Sequence, residues 1–167
     1  MFSTTYRSPL GPLELIASDD GLVAILWPDD DPGRVKLSKE AVEQPTHEVL
    51  ARVASQLDEY FAGKRTEFDI RLDLRGTDFQ IEVWRSLATI PYGQTASYGE
   101  QAKRVGRPKA VRAIGAANGR NPVSVVLPCH RVVGADGSLT GFAGGLAAKR
   151  FLLELEGAIP ATIPGTS

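Results

Sequence analysis

The sequence predicts an α+β protein with a strand-rich first part and a second part built from short helices. Two apolar, strand-like segments, residues 13–17 and 22–27, flank a short turn-forming segment, which is the pattern of a β-hairpin. Later in the chain the pattern changes to helix-capping sequences separated by turns that contain Gly or Pro. We therefore expect two domains, residues 1–75 and residues 76–167.

Three further features describe the first domain. Residues 28–45 are rich in Pro and Asp and indicate a loop. Apolar side chains then recur at helical spacing from about Thr46, and Gly63 marks the end of that helix. Apolar and charged residues alternate over residues 68–74, which is typical of a half-buried strand. We interpret His47, near the start of the helix, as a surface or capping residue.

The second domain begins with three predicted helices. Thr77 and Ser97 each start a capping-box sequence, and the helix that follows Ser97 extends to about Val105. Pro108 suits the first turn of a third helix over residues 109–118. The last two helices and the glycine-containing turn between them form a helix-turn-helix pattern. The third helix is rich in Ala and Gly, which favours close approach to a DNA groove or to another helix.

The remaining sequence surrounds a short polar motif. Residues 123–127 are apolar and β-rich, which predicts a buried strand that leads into Pro128-Cys129-His130-Arg131. Residues 136–145 form a Gly-rich loop whose backbone can closely line a pocket. A final helix is predicted over residues 146–156, and Gly157 ends it.

Charge is unevenly distributed although the net charge is only −1. The first domain carries −5 and the second +4, and no acidic residue occurs between Glu100 and Asp136. Such a segment indicates either a polyanion site or a solvated basic face. The sequence contains no apolar run long enough to span a bilayer and no targeting pattern at its start, so we expect a cytoplasmic protein without membrane contact.

Cys129 is the only cysteine of the chain. A lone cysteine is most often a small buried apolar residue, but a thiolate stabilised by a neighbouring imidazole or cation is a strong nucleophile. Because one cysteine cannot form an internal disulfide, the fold does not depend on oxidation. The Cys129-His130 pair is compatible with an acyl-transfer enzyme such as a hydrolase or amidase. The helix-turn-helix pattern alone would also fit a DNA-binding regulator.

Six motifs occur together in a specific order. They are Ile90-Pro91-Tyr92-Gly93, Ser97-Tyr98, Ala113-Ile114-Gly115, Asn121-Pro122, Pro128-Cys129-His130-Arg131-Val132, and Gly144-Gly145-Leu146 before Lys149. With this set the chain resembles the O6-alkylguanine-DNA alkyltransferases, or methylated-DNA–protein-cysteine methyltransferases. The resemblance covers essentially the whole chain. It implies an RNase H-like α/β first domain and a helical second domain with a (winged) helix-turn-helix.

The resemblance implies direct DNA repair. The alkyl group of O6-methylguanine, and by extension O4-methylthymine, in duplex DNA would move irreversibly to Cys129 after base flipping, once per molecule. His130 resembles the base that takes the thiol proton through a water, and Glu156 the carboxylate that orients it. Asn121 resembles the residue that supports this network and its turn. Tyr98 resembles the phenol that helps to neutralise the departing guanine.

The resemblance also implies residues for the substrate pocket and for DNA contact. The pocket residues are Val132, Phe142 and Ala143. The DNA-contacting residues are Arg112, Ala113, Gly115, Lys109 and Arg131. Arg112 would replace the extruded base in the duplex, and the basic residues would hold phosphates. Some family members have Tyr-Ser in place of Phe142-Ala143, so the substrate range stays open.

The resemblance implies no cofactor. Some members carry zinc in the first domain, but this chain has no Cys and only His47 there, so we predict no metal site. The expected partner is double-stranded DNA that carries O6-alkylguanine. We expect a monomer in solution and leave cooperative binding on DNA open.

Activation of the thiol should follow from the same residues. We expect His130 and Glu156 to lower the effective pKa of Cys129, because a carboxylate favours the imidazolium and the imidazolium stabilises a thiolate. Adjacent residues in an extended chain point in opposite directions, so a bridging water is expected between Cys129 and His130. Related non-catalytic sensors of alkylated DNA carry another residue in place of this cysteine, so its presence favours repair.

Overall fold

The computed structural model describes residues 1–37 and 40–161. Residues 38–39, in the predicted loop, and residues 162–167, at the end of the predicted second domain, lie outside the described residues. The strands are β1 Phe2–Ser8, β2 Gly11–Ser18, β3 Gly21–Leu26, β4 Val42–Glu43, β5 Ala96–Ser97 and β6 Val132–Val133. The helices are α1 Glu48–Phe61, α2 Asp78–Ser86, α3 Tyr98–Arg104, α4 Val111–Gly119 and α5 Leu146–Leu155.

The first part of the chain is a mainly antiparallel sheet in the order β3-β2-β1-β4. The predicted hairpin is present as β2 and β3, with a bulge near Ile16. Strand β1 was not predicted, although it pairs along its whole length with β2, from Phe2 opposite Ala17 to Ser8 opposite Gly11. Its exposed and half-buried side chains produce only a weak alternation in the sequence. The two-residue β4 pairs in parallel with β1 inside the segment predicted as a loop.

The helix that the sequence predicts from about Thr46 is present as α1, and its apolar face packs on this sheet. His47 is its N-cap, and its Nδ1 accepts a hydrogen bond from the Val49 amide at 3.3 Å. The helix ends where Gly63 adopts φ +74°, and the Lys64 amide bonds back to the Glu59 carbonyl at 2.8 Å. This left-handed ending favours Gly because a Cβ is disfavoured there.

The prediction of a strand over residues 68–74 is wrong, because this segment forms no regular strand. The segment is extended, but its ladder to the sheet consists of a single bridge, in which Leu22 bonds with Arg71 and Asp73 at 2.8 Å each. Farther along, side chains replace strand pairing: the Gln56 amide bonds to both backbone groups of Asp69, at 3.0 and 2.9 Å. The alternation of apolar and charged residues therefore indicates that the segment is half-buried, and it does not indicate a strand of the sheet.

The capping boxes predicted at Thr77 and Ser97 are both present and begin α2 and α3. The third helix begins at Val111, two residues later than predicted. Pro108 lies in the preceding turn, which the Ala110 amide closes on the Arg107 carbonyl at 2.9 Å.

Two contacts hold the helix-turn-helix together. Gln101 of α3 and Asn118 of α4 exchange amide hydrogen bonds of 3.1 and 2.7 Å, and both side chains are buried. The Trp84 indole of α2 donates to the Ala117 carbonyl at 2.7 Å. These bonds fix the angle of α4 against its two neighbours.

Residues 123–127 do not form the predicted strand. They make a tight buried turn in which the Leu127 amide bonds to the Val123 carbonyl at 3.0 Å and Val125 takes a left-handed φ of +76°. A short buried apolar run cannot be assigned to a strand by its pattern alone, because other buried segments look the same. Asn121 satisfies two of its backbone groups instead.

One hydrophobic cluster extends through both predicted domains. Leu15 of β2, Leu57 of α1, Trp84 of α2 and Leu152 of α5 all belong to it and are at most 2% exposed. The two parts of the chain therefore share a core instead of meeting through a solvated linker. No helix in the described part of the chain is long and apolar enough to cross a membrane.

Removal of the Ser97 cap should destabilise the helix-turn-helix. Its hydroxyl accepts from the Glu100 amide at 3.1 Å, so we expect Ser97→Ala to lower the free energy of unfolding by about 1 kcal/mol in urea titrations. The control is Ser55→Ala on the exposed side of α1, which should be neutral or slightly stabilising because Ala is the better helix former. Equal losses in both variants would contradict the capping role.

Candidate active site

Cys129 stands at the start of a single 3₁₀ turn, Cys129–Arg131, directly after the buried turn of residues 123–127. Asn121 holds that turn closed: its Oδ1 accepts from the Val123 amide at 3.1 Å and its Nδ2 donates to the Leu127 carbonyl at 2.8 Å. Asn121 is itself buried. The thiol is thus delivered by a rigid turn, which replaces the strand that the sequence predicts.

Cys129 opens on a cavity of about 380 Å³ beside the helix-turn-helix. The lining residues are Tyr98, Gly115, Asn118, Gly119, Cys129, Gly141, Phe142 and Ala143. The lining combines two aromatic rings with several small residues, and the volume is in the range of small-molecule pockets. Tyr98, Phe142 and Ala143, three of the predicted site residues, therefore meet at the thiol.

The Tyr98 side chain is anchored at one edge of this cavity, because its hydroxyl lies 2.6 Å from the Thr140 hydroxyl. Phe142 also lines the cavity and meets the Trp27 indole edge-on, with ring centroids 5.3 Å apart. A Cβ on Gly144 would lie 2.6 Å from the Trp27 ring, so only glycine allows the loop this close. Trp27 was not among the predicted site residues.

Glu156 lies behind Cys129 as a fully buried carboxylate. Its Oε2 lies 2.8 Å from His130 Nε2 and 3.1 Å from an Arg131 amino group, and its Oε1 accepts from Arg131 Nε at 2.8 Å. The Tyr60 hydroxyl donates to Oε2 at 2.5 Å. The predicted His130–Glu156 pair is therefore formed, and two further side chains complete its surroundings.

This geometry determines which nitrogen of His130 can act as a base. A carboxylate only accepts hydrogen bonds, so the Nε2 beside Glu156 carries the proton. Nδ1 is then the nitrogen with the free lone pair. It is buried and has no hydrogen-bond partner among the described residues.

Glu156 is ionised in this setting. Burial raises the pKa of a carboxyl group, but the hydrogen bonds and charges of His130 and Arg131 outweigh burial and lower the pKa of Glu156 to about 2. The buried negative charge is thus compensated by one permanent cation and by neutral donors.

The expected activation by a protonated His130 is wrong in its direction. Burial lowers the pKa of His130 and wins over the opposing effect of Glu156, and the charges of Arg131 and Lys149 act in the same direction as burial. Burial also raises the pKa of the Cys129 thiol, against the Asn121 amide and the charge of Lys149. The resting pair is a neutral thiol near a neutral imidazole.

Lys149 is a buried amine for which the sequence predicted no role, although it belongs to one of the six motifs. Its Nζ donates to the Val132 carbonyl at 2.6 Å and to the Thr140 carbonyl at 3.1 Å. Burial lowers the pKa of Lys149, whereas a charge on Cys129 would raise it. The sequence signal for a role of Lys149 was its position in the last helix, just after a Gly-rich loop. That signal was not sufficient, because an isolated lysine in a helix is usually solvated.

Two predicted residues do not take the places assigned to them. Arg131 is 7% exposed and its guanidinium is used by Glu156 and by the Ile90 carbonyl at 2.7 Å, so its assignment to DNA phosphates is wrong. The Val132 side chain is fully buried in the core, and its carbonyl already accepts from Lys149. Only that carbonyl oxygen, through its second lone pair, could take part in the pocket.

The other predicted DNA-contacting residues stand on one exposed surface. Lys109, Arg112 and Ala113 are exposed in or just before α4, and Gly115 is half-buried with the Tyr98 ring 3.9 Å from its Cβ position. Helix α4 buries Ile114, among others, on the opposite face. The exposed face of α4 is therefore continuous with the rim of the Cys129 cavity.

Arg34 contributes from the first part of the chain and was also missed. Its guanidinium donates to the Asn121 carbonyl at 2.5 Å and to the Ile25 carbonyl at 3.1 Å, and pairs with Asp30 at 2.6 Å. It ties the sheet to the turn that carries Cys129. No group of three or more His, Cys, Asp or Glu side chains in the described ranges is arranged to hold a metal ion.

Comparison with known proteins gives matches over nearly the entire chain. Residues 1–74 match the ribonuclease-like domain of 6-O-methylguanine DNA methyltransferase, and residues 78–158 match its DNA-binding domain. These matches confirm the predicted fold class. Methylated-DNA–protein-cysteine methyltransferase of Mycobacterium tuberculosis is 49% identical over 154 residues, which cover 91% of this chain and 90% of that protein. The Methanosarcina acetivorans protein of the same name is 45% identical over 94% and 99%.

Solved structures agree with these relatives. The Mycobacterium tuberculosis OGT in complex with DNA superposes with a TM-score of 0.86 at 46% identity and covers 95% of this chain and 94% of that one. The Mycobacterium tuberculosis O6-methylguanine methyltransferase gives a TM-score of 0.82 at 48% identity, with 96% of each chain covered.

The buried Glu156 carboxylate should make stability depend on pH. Its pKa is depressed in the folded state, so its contribution is complete above the unfolded pKa of about 4.3 and is lost as pH falls toward about 2. The shift corresponds to roughly 3 kcal/mol of unfolding free energy. Urea titrations between about pH 7 and about pH 3 should show more than half of this loss in the wild type and a smaller loss in Glu156→Gln.

The Gln variant should also be less stable at pH 7, by about 3–5 kcal/mol, because Arg131 is left buried without its partner. Glu43→Gln on the exposed strand β4 is the control and should keep the wild-type slope. A Glu156→Gln slope equal to that of the wild type would show that the carboxylate is not the titrating group.

Proposed function

Because the chain belongs to the 6-O-methylguanine DNA methyltransferase family, we propose that it repairs alkylated DNA by moving the alkyl group from O6 of guanine to Cys129. The observation that carries this proposal is the thiol at the floor of the cavity beside α4, with the His130–Glu156 pair behind it. The substrate is double-stranded DNA with O6-methylguanine, and O4-methylthymine is the analogous pyrimidine lesion.

Access to the lesion requires extrusion of the nucleotide, because the O6 atom lies inside the stacked duplex. Extrusion costs a few kcal/mol, and a side chain that fills the vacated space offsets part of that cost. Arg112, exposed on the Ala- and Gly-rich face of α4, is the residue that we assign to this role. Lys109 beside it would meet phosphates, and Ala113 and Gly115 leave room for close approach to the groove.

The extruded base would lie between Tyr98 and Phe142. Phe142 offers a ring for stacking, and the Ala143 amide can donate to O6. We assign to the Tyr98 hydroxyl the stabilisation of the negative charge that develops on the departing guanine. Since position 143 has no hydroxyl, the pocket relies on backbone donors on this side.

The chemical step begins with removal of the thiol proton. His130 Nδ1 takes it, directly or through a water, while Glu156 stabilises the resulting imidazolium through Nε2. Lys149 adds a positive charge that favours the thiolate over the thiol. Lys149, and not a protonated His130, is thus the cation that stabilises the thiolate.

The thiolate then attacks the methyl carbon. A carbon–sulfur bond forms, the carbon–O6 bond breaks, and the electron pair leaves with guanine, which finally takes up a proton. The product is a thioether, and it offers no carbonyl for water to attack, in contrast to the thioester of an acyl-transfer enzyme. No step regenerates the thiol, so each molecule repairs one lesion.

We further propose a domain boundary near residues 75 and 76 and a cytoplasmic location. The boundary is supported by the change from sheet to helices, although the hydrophobic core is shared across it. The location is supported by the need to keep the single thiol reduced, since reducing compartments preserve free cysteines.

Reaction with a duplex oligonucleotide that contains O6-methylguanine should add one methyl group per protein. Intact-mass and peptide mass spectrometry should place the methyl group on Cys129, with no turnover beyond one equivalent. Cys129→Ala should bind the same duplex and transfer nothing. Repeated turnover, or a methyl group on another residue, would overturn the proposal.

Arg112→Ala should separate DNA engagement from chemistry. We expect repair of duplex DNA to slow by about tenfold or more, because the few kcal/mol of unstacking are no longer offset. The reaction with free O6-benzylguanine should change little, since no duplex is opened. Arg7→Ala on β1 serves as the matched control, and equal losses of Arg112→Ala on both substrates would contradict the assignment.

A further inference from the structure

Tyr60 is a buried titratable group that the mechanism above does not use. It lies in the last turn of α1, in the first part of the chain, and is fully buried. Its hydroxyl donates a 2.5 Å hydrogen bond to Glu156 Oε2, across 96 residues of sequence. The same oxygen is 2.8 Å from His130 Nε2, so Tyr60 and His130 share one acceptor atom.

The proton in this bond belongs to Tyr60. Burial and the charge of Glu156 raise the pKa of the phenol, so Tyr60 is neutral throughout the pH range in which the protein works. Glu156 is ionised and can only accept. The bond is therefore charge-assisted, and such bonds are short and about twice as strong as neutral ones.

A donor to Oε2 has a consequence for His130. Hydrogen bonds to an anion draw its charge toward the donor, so an oxygen that already accepts from Tyr60 stabilises an imidazolium less well. The titratable and charged groups that face Glu156 are His130, Arg131, Tyr60 and Tyr92, and those that face His130 are Glu156, Arg131 and Lys149. Of these, Tyr60 is contributed by the sheet-and-helix part of the chain.

We propose that Tyr60 is a positioning residue by which the first domain fixes the Glu156 carboxylate and keeps His130 available as a base at neutral pH. The proposal rests on the roles assigned above to Cys129, His130 and Glu156. It gives the first domain a defined part in the chemistry of a site that lies in the second.

The test is the pH dependence of Cys129 alkylation in Tyr60→Phe, with free O6-benzylguanine as the probe so that DNA binding does not contribute. Rates are measured from about pH 5 to about pH 9, which spans the reference pKa values of His and Cys. Loss of the phenol donor should move the acidic limb of the profile upward by roughly half a unit to one unit. The rate on that limb would fall about three- to tenfold, and the deficit would vanish toward higher pH.

Tyr92→Phe is the matched control. Its ring packs edge-on against Tyr60, with centroids 6.5 Å apart, but its hydroxyl lies 3.5 Å from the Leu155 carbonyl and does not bond to Glu156. This variant should keep the wild-type acidic limb. An acidic limb that is unchanged in Tyr60→Phe, or shifted equally in both variants, would overturn the proposal. General loosening of the core would look different, because it would scale the rate at every pH.

A second substitution keeps the test decisive if Tyr60→Phe does not fold. Site-specific 3-fluorotyrosine at position 60 retains the ring and the hydroxyl but makes the phenol a stronger donor, so the acidic limb should move to lower pH. A shift in the opposite direction, or none, contradicts the role of Tyr60. Failure of the proposed function is distinguished by the wild type, which would then form no adduct at Cys129.

Discussion

The site depends on the burial of one carboxylate. Removal of a charged group from water costs several kcal/mol unless the protein supplies donors for its lone pairs. Glu156 obtains those donors from His130 and Arg131 beside the nucleophile and from Tyr60 on α1. Because these donors come from two separate stretches of the chain, α1 and the Cys129 turn, satisfying the charge also brings both of them to the end of α5. The contacts that stabilise this buried charge therefore also set the geometry of the site.

The first part of the chain acts as a support for chemistry that it does not perform. Trp27 fixes the Phe142 wall of the cavity, Arg34 bonds to the carbonyl of Asn121, and Tyr60 reaches Glu156. Each contact meets a different component of the site: the Phe142 side of the cavity, the turn that carries the thiol and the buried Glu156 carboxylate. The continuous core across the two parts makes these contacts rigid. This arrangement accounts for an acidic domain without chemical motifs of its own.

The resting state of the nucleophile follows from the same burial. A thiol that is enclosed and close to a neutral imidazole remains protonated, and it is the thiolate that reacts with electrophiles. A protein whose thiol is consumed in one reaction benefits from withholding the thiolate until a substrate occupies the cavity. Lys149 is also buried, and its positive charge lowers the pKa of the Cys129 thiol. Burial thus favours the neutral thiol, whereas the reaction requires the thiolate. In the proposed mechanism, transfer of the thiol proton to His130 overcomes the effect of burial.

The sequence by itself determined what short-range chemistry encodes. The caps at Thr77 and Ser97 and the glycine that ends α1 depend on residues three or four positions apart, so they could be read directly. The order of motifs around Cys129 identified the family, and through it the residues that we propose to react. Tertiary structure alone decided that residues 123–127 form a turn, that β1 pairs with β2, that Arg131 is buried, and that Tyr60 completes the site. Each of these outcomes depends on which polar and apolar groups meet across long stretches of chain, since a buried hydrogen bond or charge is stabilised only by a partner that folding brings to it.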